Sequence, residues 1–260
     1  MPASYGGSSG SSASPADIID EGMTAVLTGE ARGTTVVSDG GTGIELQNVA
    51  ASAVIVDPLT GAGWTETEAA STSRTWTSGE KVTLTALSGA TGRVEVEHAT
   101  PIYSGAQQWD HCVRVDVVAG DTTSGSGYFV LIAIVDATNH VYLRLYQDGQ
   151  IRLVYRTGGS EVISSDVAGP SAPQRTGGQL WLRLRGDVFG TWRAMWGVGS
   201  AGALPTAWTT AVSVSIAAIG PAVPATAGME MWVGSAGGAP LAATHTVDVL
   251  AIRDSWSDSL

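Results

Sequence analysis

The chain of 260 residues holds one cysteine, Cys112, and one lysine, Lys81. A lone cysteine excludes an intrachain disulfide and a thiolate metal cluster. Within HCVRVDVV, residues 111–118, it reads as a small buried hydrophobe. Charge is scarce, at 14% of residues, and the net charge is −11. Residues 1–110 carry 13 acids against 4 bases, and residues 111–260 carry 11 against 9. An acidic chain without a basic cluster is a poor match for a phosphate backbone, so no nucleic-acid partner is expected. The longest apolar run, FVLIAIV at 129–135, is far short of the ~20 residues that span a bilayer, so no membrane insertion is expected. The opening MPASYGGSSGSSASP has neither a basic start nor an apolar stretch, which predicts no export by the usual signal route. His98, His111, His140 and His245 lie on separate segments, without H-x-H or H-E-x-x-H spacing. There is no G-x-S-x-G elbow, and GGTGIE and TGGS lack the lysine of a phosphate loop. No catalytic residue, metal or cofactor is assigned on this basis.

What the chain has in plenty is glycine, 34 residues, with Ser, Thr, Ala and Val. That mixture favours short strands and many turns. Residues 1–14 are rich in Gly and Ser and read as an arm. SPADIIDEG then offers Ser14 as an N-cap, Pro15 at the first helical position and Gly22 as a stop, which predicts one short helix. We take residues 1–53 as an arm and attachment segment. Ile18, Ile19, Met23, Val26 and Leu27 are the apolar residues through which it would attach. From residue 54 to 260 strand patterns follow one another: KVTLTAL, GRVEVEHA, HCVRVDVVAG, GYFVLIAIVD, HVYLRLYQ, QIRLVYRT, EVISSDV, QLWLRLRG, VFGTWRAMW, AVSVSIAAI, GMEMWVGS and THTVDVLAIRD. A dozen strands at roughly ten-residue spacing predict a large antiparallel β-sandwich. Asp148-Gly149 and Gly186-Asp187 read as two-residue hairpin turns.

The stretch GQLWLRLRGDVFGTWRAMW, residues 178–196, holds three of the nine tryptophans. Leu180, Leu182 and Leu184 alternate with Trp181, Arg183 and Arg185, so the leucines are expected in the core. A two-residue turn at Gly186-Asp187 would pair Trp181 with Trp192 and Arg183 with Gly190. Trp181, Arg183, Arg185 and Trp192 would then form one face: either a ligand face, because flat aromatics beside arginine stack on sugars, or an assembly contact. RVEVEH places Glu95 and Glu97 on one strand face. Retaining glycanases need carboxyls ~5–5.5 Å apart, but the aspartate and tryptophan expected to flank such a pair are missing here.

NHVYLRLYQDGQIRLVYRTGG, GQLWLRLRGDVFGTWRAMW, Trp208 and the closing GMEMWVGS…THTVDVLAIRD resemble the concanavalin A-like, or laminin-G-like, jelly roll. Upstream, DPLTGAGWTETE followed by KVTLTAL resembles that domain's opening strand and loop. The resemblance spans about residues 54–254 and implies an all-β antiparallel jelly-roll sandwich. It also implies a calcium ion at the sandwich rim in some members, for which Asp121 or Asp136 would be the acids here; no metal is assigned. Such domains serve extracellular carbohydrate or protein recognition, yet this chain shows no signal, disulfide or anchor. A bacteriophage virion protein (head fibre, decoration or tail component), assembled in the host cytoplasm and released by lysis, reconciles the two. Its expected partners are other virion proteins, copies of itself and host-surface glycans. The alternatives are a free carbohydrate-binding module or lectin, and a glycan-cleaving enzyme using Glu95 and Glu97.

Overall fold

The structure is a computed structural model. It describes strands at 34–38, 44–48 and 52–56, then residues 59–98, 108–120, 127–134, 138–146, 148–164, 169–187, 190–199, 203–215, 228–235 and 238–257. Ile18, Ile19, Met23, Val26, Leu27 and the helix expected at Ser14–Gly22 lie outside the described residues, as do Asp121 and Asp136. The chain divides into two units, Met1–Ala53 and Val54–Leu260. In the first, β1 (Thr34–Ser38) and β2 (Ile44–Asn48) pair antiparallel, with Val36 opposite Leu46.

Strands β3 (Ser52–Val56), β4 (Trp64–Glu68), β5 (Thr72–Thr77), β6 (Lys81–Ala86), β7 (Arg93–His98), β8 (Gln108–Ala119), β9 (Gly127–Ile134) and β10 (His140–Tyr146) come next in the chain. After them run β11 (Ile151–Thr157), β12 (Ser160–Ile163), helix α1 (Ala172–Arg175), β13 (Leu180–Asp187), β14 (Thr191–Val198), β15 (Thr209–Ser215), β16 (Gly228–Ser235) and β17 (His245–Ser257). They build two antiparallel sheets. The seven-stranded sheet has the order β12-β11-β10-β9-β16-β7-β4; the eight-stranded sheet has the order β15-β14-β13-β8-β17-β6-β5, with β3 on β17. Helix α1 is a single turn at SAPQR, where the Gln174 side chain accepts from the Ser171 N–H.

Period-two alternation makes these sheets pack. In β6, Val82, Leu84 and Ala86 are buried while Lys81, Thr83 and Thr85 are half-buried. One apolar cluster joins both sheets. Val94, Val96, Phe129, Val141, Leu143 and Leu145 come from the seven-stranded sheet, and Val82, Leu84, Val113 and Val115 from the other. Leu180, Leu182 and Leu184 lie in it with no exposed surface, as the alternation predicts. Each such leucine contributes roughly 1.5–3 kcal/mol by leaving water.

The β13–β14 hairpin departs from expectation. Its strands pair Gly186 with Trp192, Arg185 with Arg193, Arg183 with Met195 and Trp181 with Gly197. Gly186 and Asp187 are therefore strand residues rather than the centre of a two-residue turn. Strand β13 ends at Asp187 and β14 begins at Thr191, and the Gly190 N–H donates to the Asp187 carbonyl at 3.0 Å. Gly190 takes the left-handed conformation, φ +76°, as three-residue hairpin loops require. Asp148-Gly149 turns in the same way: the Gly149 N–H donates to the Tyr146 carbonyl at 2.9 Å, with Gly149 at φ +85°.

Candidate functional site

The hairpin register decides what lies on the outer face of the eight-stranded sheet. Pairing slips by an odd number of residues from the expected one, which turns β14 over. Trp192, opposite Gly186, points into the core and is 1% exposed. Trp181 stays on the outer side, so the expected Trp181–Trp192 pair does not form. The glycine opposite Trp192 carries no side chain, leaving the indole room in the core.

Trp181, Arg183 and Arg185 do share the outer face, but its groups are already engaged. Trp181 is fully buried. Its cover includes the loop Ala203–Trp208: a β-carbon on Gly199 would lie 3.1 Å from Trp181 Nε1 and 2.8 Å from the Ala203 carbonyl oxygen. Arg253 of β17 sits over the ring at 5.7 Å. Arg183 and Arg185 each present a fork to one carboxylate, Asp110 of β8. Arg183 donates through Nε at 2.8 Å and Nη2 at 2.6 Å; Arg185 donates at 2.7 and 2.9 Å. Burial alone would raise the Asp110 pKa, but the hydrogen bonds from Arg185 and Arg183 outweigh it and hold the carboxyl below its usual value. Trp208 lies on Arg183 at 5.0 Å. This is the far side of a strand covered on both faces.

The outer face of the seven-stranded sheet gathers a different set of groups. One row across the strands reads Thr67, Glu95, Trp232, Val130, Arg144, Arg152. The next reads Thr65, Glu97, Glu230, Ile132, Tyr142, Val154. Alternation in β16 explains half of it: Met231 and Val233 enter the core, so Glu230 and Trp232 point outward. Trp232, Tyr142, Arg144 and Glu230 are buried although they lie away from the inter-sheet cluster. They form a polar and aromatic floor, with the Arg93 and Glu161 side chains more open, each 43% exposed.

This floor has two ends, roughly 10 Å apart across two strand spacings. At the first, Arg93 bonds Glu95 at 2.5 Å, approaches Glu230 at 3.5 Å and lies over the Trp232 ring at 4.9 Å. At the second, Arg144 donates to the Tyr142 hydroxyl at 3.1 Å and the Tyr146 hydroxyl at 3.4 Å. Tyr142 donates in turn to Glu161, and Arg152 lies over the Tyr146 ring at 4.6 Å. Burial, then the bond to Glu161, raises the Tyr142 pKa, so its proton stays in place. Among the described residues no group of three His, Cys, Asp or Glu could hold a metal ion.

Glu230 was not singled out from the sequence, and its ionisation is the most perturbed on this face. Burial first, then the charge of Glu95, pushes its pKa up to about 8 against an ordinary 4.5; Arg93 opposes the shift. Glu230 thus keeps its proton to higher pH in the folded chain than in the unfolded one. Folding therefore binds a proton that the unfolded chain has lost above pH 4.5. Its stabilisation is full below pH 4.5 and is lost as pH rises through about 8. Glu230→Gln should flatten this dependence, as urea unfolding at the two ends of that window would show. An unchanged slope would mean that Glu230 is already ionised.

No family model matches the chain, and no curated protein does. Solved structures do match. The exoplasmic/lumenal domain of VIP36, in a Ca2+/Man3GlcNAc-bound form, superposes with TM-score 0.53 at 13% identity, covering 77% of this chain and 86% of that one. Arcelin-5, a lectin-like defence protein from Phaseolus vulgaris, gives 0.50 at 11% identity, covering 79% and 98%. The CBM2 module of the evolved Dit of Lactobacillus casei BL23 phage J-1 gives 0.51 at 11% identity, covering 76% and 92%. The fold is the concanavalin A-like jelly roll. In this jelly roll the expected face on the eight-stranded sheet is closed on itself, and the seven-stranded sheet carries the polar floor.

Proposed function

We propose that this jelly roll binds glycans on the outer face of its seven-stranded sheet and is displayed on a bacteriophage particle. The observation that carries the binding half is the floor itself. Tyr146, Arg152, Arg93, Glu95 and Glu97 are open or half-open on one face away from the core, above buried Trp232, Tyr142 and Arg144. Aromatic rings beside planar guanidinium and carboxylate groups suit a sugar, which offers an apolar ring face and a rim of hydroxyls. On this reading the face binds without cleaving: Glu95 is tied to Arg93.

The display half is supported by the likeness to a phage Dit module and by the absence of disulfide pairing in a recognition fold. Residues 1–53 would attach the domain to other virion proteins or to copies of itself. A free lectin or carbohydrate-binding module is the second reading, favoured by the likeness to VIP36 and arcelin-5. Mass spectrometry of purified particles separates the two, because only a virion component co-purifies in fixed copy number.

Binding is tested on a glycan array with the full chain and with Tyr146→Ala and Arg152→Ala, both half-buried rim positions. Each variant should weaken the best ligand by about tenfold, as loss of an anchoring contact does, and Arg152→Ala should do so while melting as the wild type does. An array on which the chain binds nothing would end the reading.

A further inference from the structure

We propose that the end of the sandwich where His245 enters β17 is an acid-released latch, which opens locally when that imidazole takes a proton while the rest of both sheets stays paired. The latch is independent of the glycan reading and uses none of its face. Alternation sets His245 on the core side of β17 with Val247 and Val249, both fully buried. The ring is 2% exposed, and its Nδ1 is buried without a hydrogen-bond partner. Opposite it stands Ala86, the last residue of β6 and also fully buried. The charged residues on the surrounding strands face away from it. Lys81 of β6, Asp116 of β8, Asp248 of β17, Arg93 of β7 and Glu230 of β16 all alternate with core residues and so sit on outer faces. His111 shares the core side of β8 but lies at its other end, opposite Asp254. The flanking loops, LSGA at 87–90 and GAPLAAT at 238–244, hold no titratable side chain. Burial without a counter-charge lowers the His245 pKa from 6.5 to about 4, which keeps the closed ring neutral.

The cover over this end is a clasp between those two loops. The Gly89 N–H donates to the Leu241 carbonyl at 2.8 Å, and the Leu241 N–H donates to the Ala90 carbonyl at 2.9 Å. Ser88 adds its N–H to Thr244 Oγ1 at 3.2 Å and its hydroxyl to the Ala242 carbonyl at 3.3 Å. Leu241 and Ala90 enter the inter-sheet cluster, whereas Leu87, Ser88 and Gly89 are exposed. A charged imidazole carries a donor on each nitrogen, and Nδ1 has no acceptor among the described residues. It must therefore reach water. Because His245 is the first residue of its strand, that requires release of the clasp and the start of β17, a smaller loss than unpairing a sheet. The opening has a stop. Three residues on, Asp248 accepts from the Lys81 ammonium at 2.7 Å and the Thr83 hydroxyl at 2.6 Å, pinning β17 to β6.

An opened histidine takes a proton below pH 6.5, and the closed one only near pH 4. The latch is therefore fully closed above pH 6.5, and its opening equilibrium rises about tenfold for each pH unit below that, down to about 4. The test is hydrogen exchange of the full chain between pH 7 and 4, with each rate corrected for the intrinsic pH dependence of exchange. The amides of Gly89 and Leu241 should lose protection about tenfold per unit across this window, while those of β10 and β13 keep theirs. His245→Leu, an apolar side chain that cannot titrate, should remove the pH dependence at Gly89 and Leu241. A proton NMR titration of the His245 ring in the wild-type chain should show a midpoint near 4, and decides the matter should the variant not fold. Protection lost evenly through both sheets would mean that the ring weakens the whole sandwich, and overturns the latch. A pH dependence that survives His245→Leu, or a ring midpoint near 6.5, overturns it as well.

Discussion

Replacing Asp110 by alanine should destabilise the sandwich by about 3 kcal/mol or more, the usual result of breaking a buried pair from one side. The cost comes from what is left behind. Arg183 and Arg185 each spend two donors on this single carboxylate, and their side chains are only 15% and 27% exposed. Without Asp110 two guanidinium groups face each other on neighbouring positions of β13 with no counter-charge between them. The acid limb of the stability curve should change too. The Asp110 pKa is depressed in the folded chain, so its contribution is present above the ordinary value of 3.8 and is lost as pH falls below it. Urea unfolding at neutral pH and in acid reads both effects. A loss under about 1 kcal/mol would mean that solvent screens the cluster as it does at a surface.

Trp192→Ala should cost about 3–5 kcal/mol, the range for removing a buried aromatic ring from a core. In a domain of this size that lowers the melting temperature by roughly 6–20 °C. The indole is 1% exposed and packs in the inter-sheet cluster, so the loss should appear with no ligand or partner present. A variant that melts with the wild type and fails only in binding would place Trp192 back on an outer surface and overturn the β13–β14 register.

Trp192 also marks where sequence ran out. The leucines of β13 were legible because Leu180, Leu182 and Leu184 leave a strand no choice of face. In β14 both faces carry large residues, Trp192 and Trp196 on one and Met195 on the other, so only the turn could set the register. Gly186-Asp187 has hairpin composition, yet the glycine that takes positive φ is Gly190. β5, TSRTWT, escaped notice because its alternation is almost wholly polar. The acid end of the floor was half visible. RVEVEH shows Glu95 and Glu97 on one face, and the alternation of GMEMWV sets Glu230 with Trp232. Nothing local says that residues so far apart in the chain lie opposite one another. That pairing, Glu97 with Glu230, is a property of the topology.

The place of β17 governs how such a chain can be made. His245–Ser257 lies inside the eight-stranded sheet, hydrogen-bonded to β8 on one side and β6 on the other. Its Asp248 takes the Lys81 ammonium at 2.7 Å across 167 residues of sequence. Until those residues have left the ribosome, β6 and β8 have no strand between them and their backbone groups on that side stay open. Folding of the sheet must therefore wait for the end of the domain, and contacts this distant in sequence close slowly, on millisecond to second timescales. During that wait the nascent chain exposes two long unpaired edges. Cells expressing the domain should need either chaperone cover or rapid completion of translation. Fragments ending before residue 245 should aggregate rather than fold.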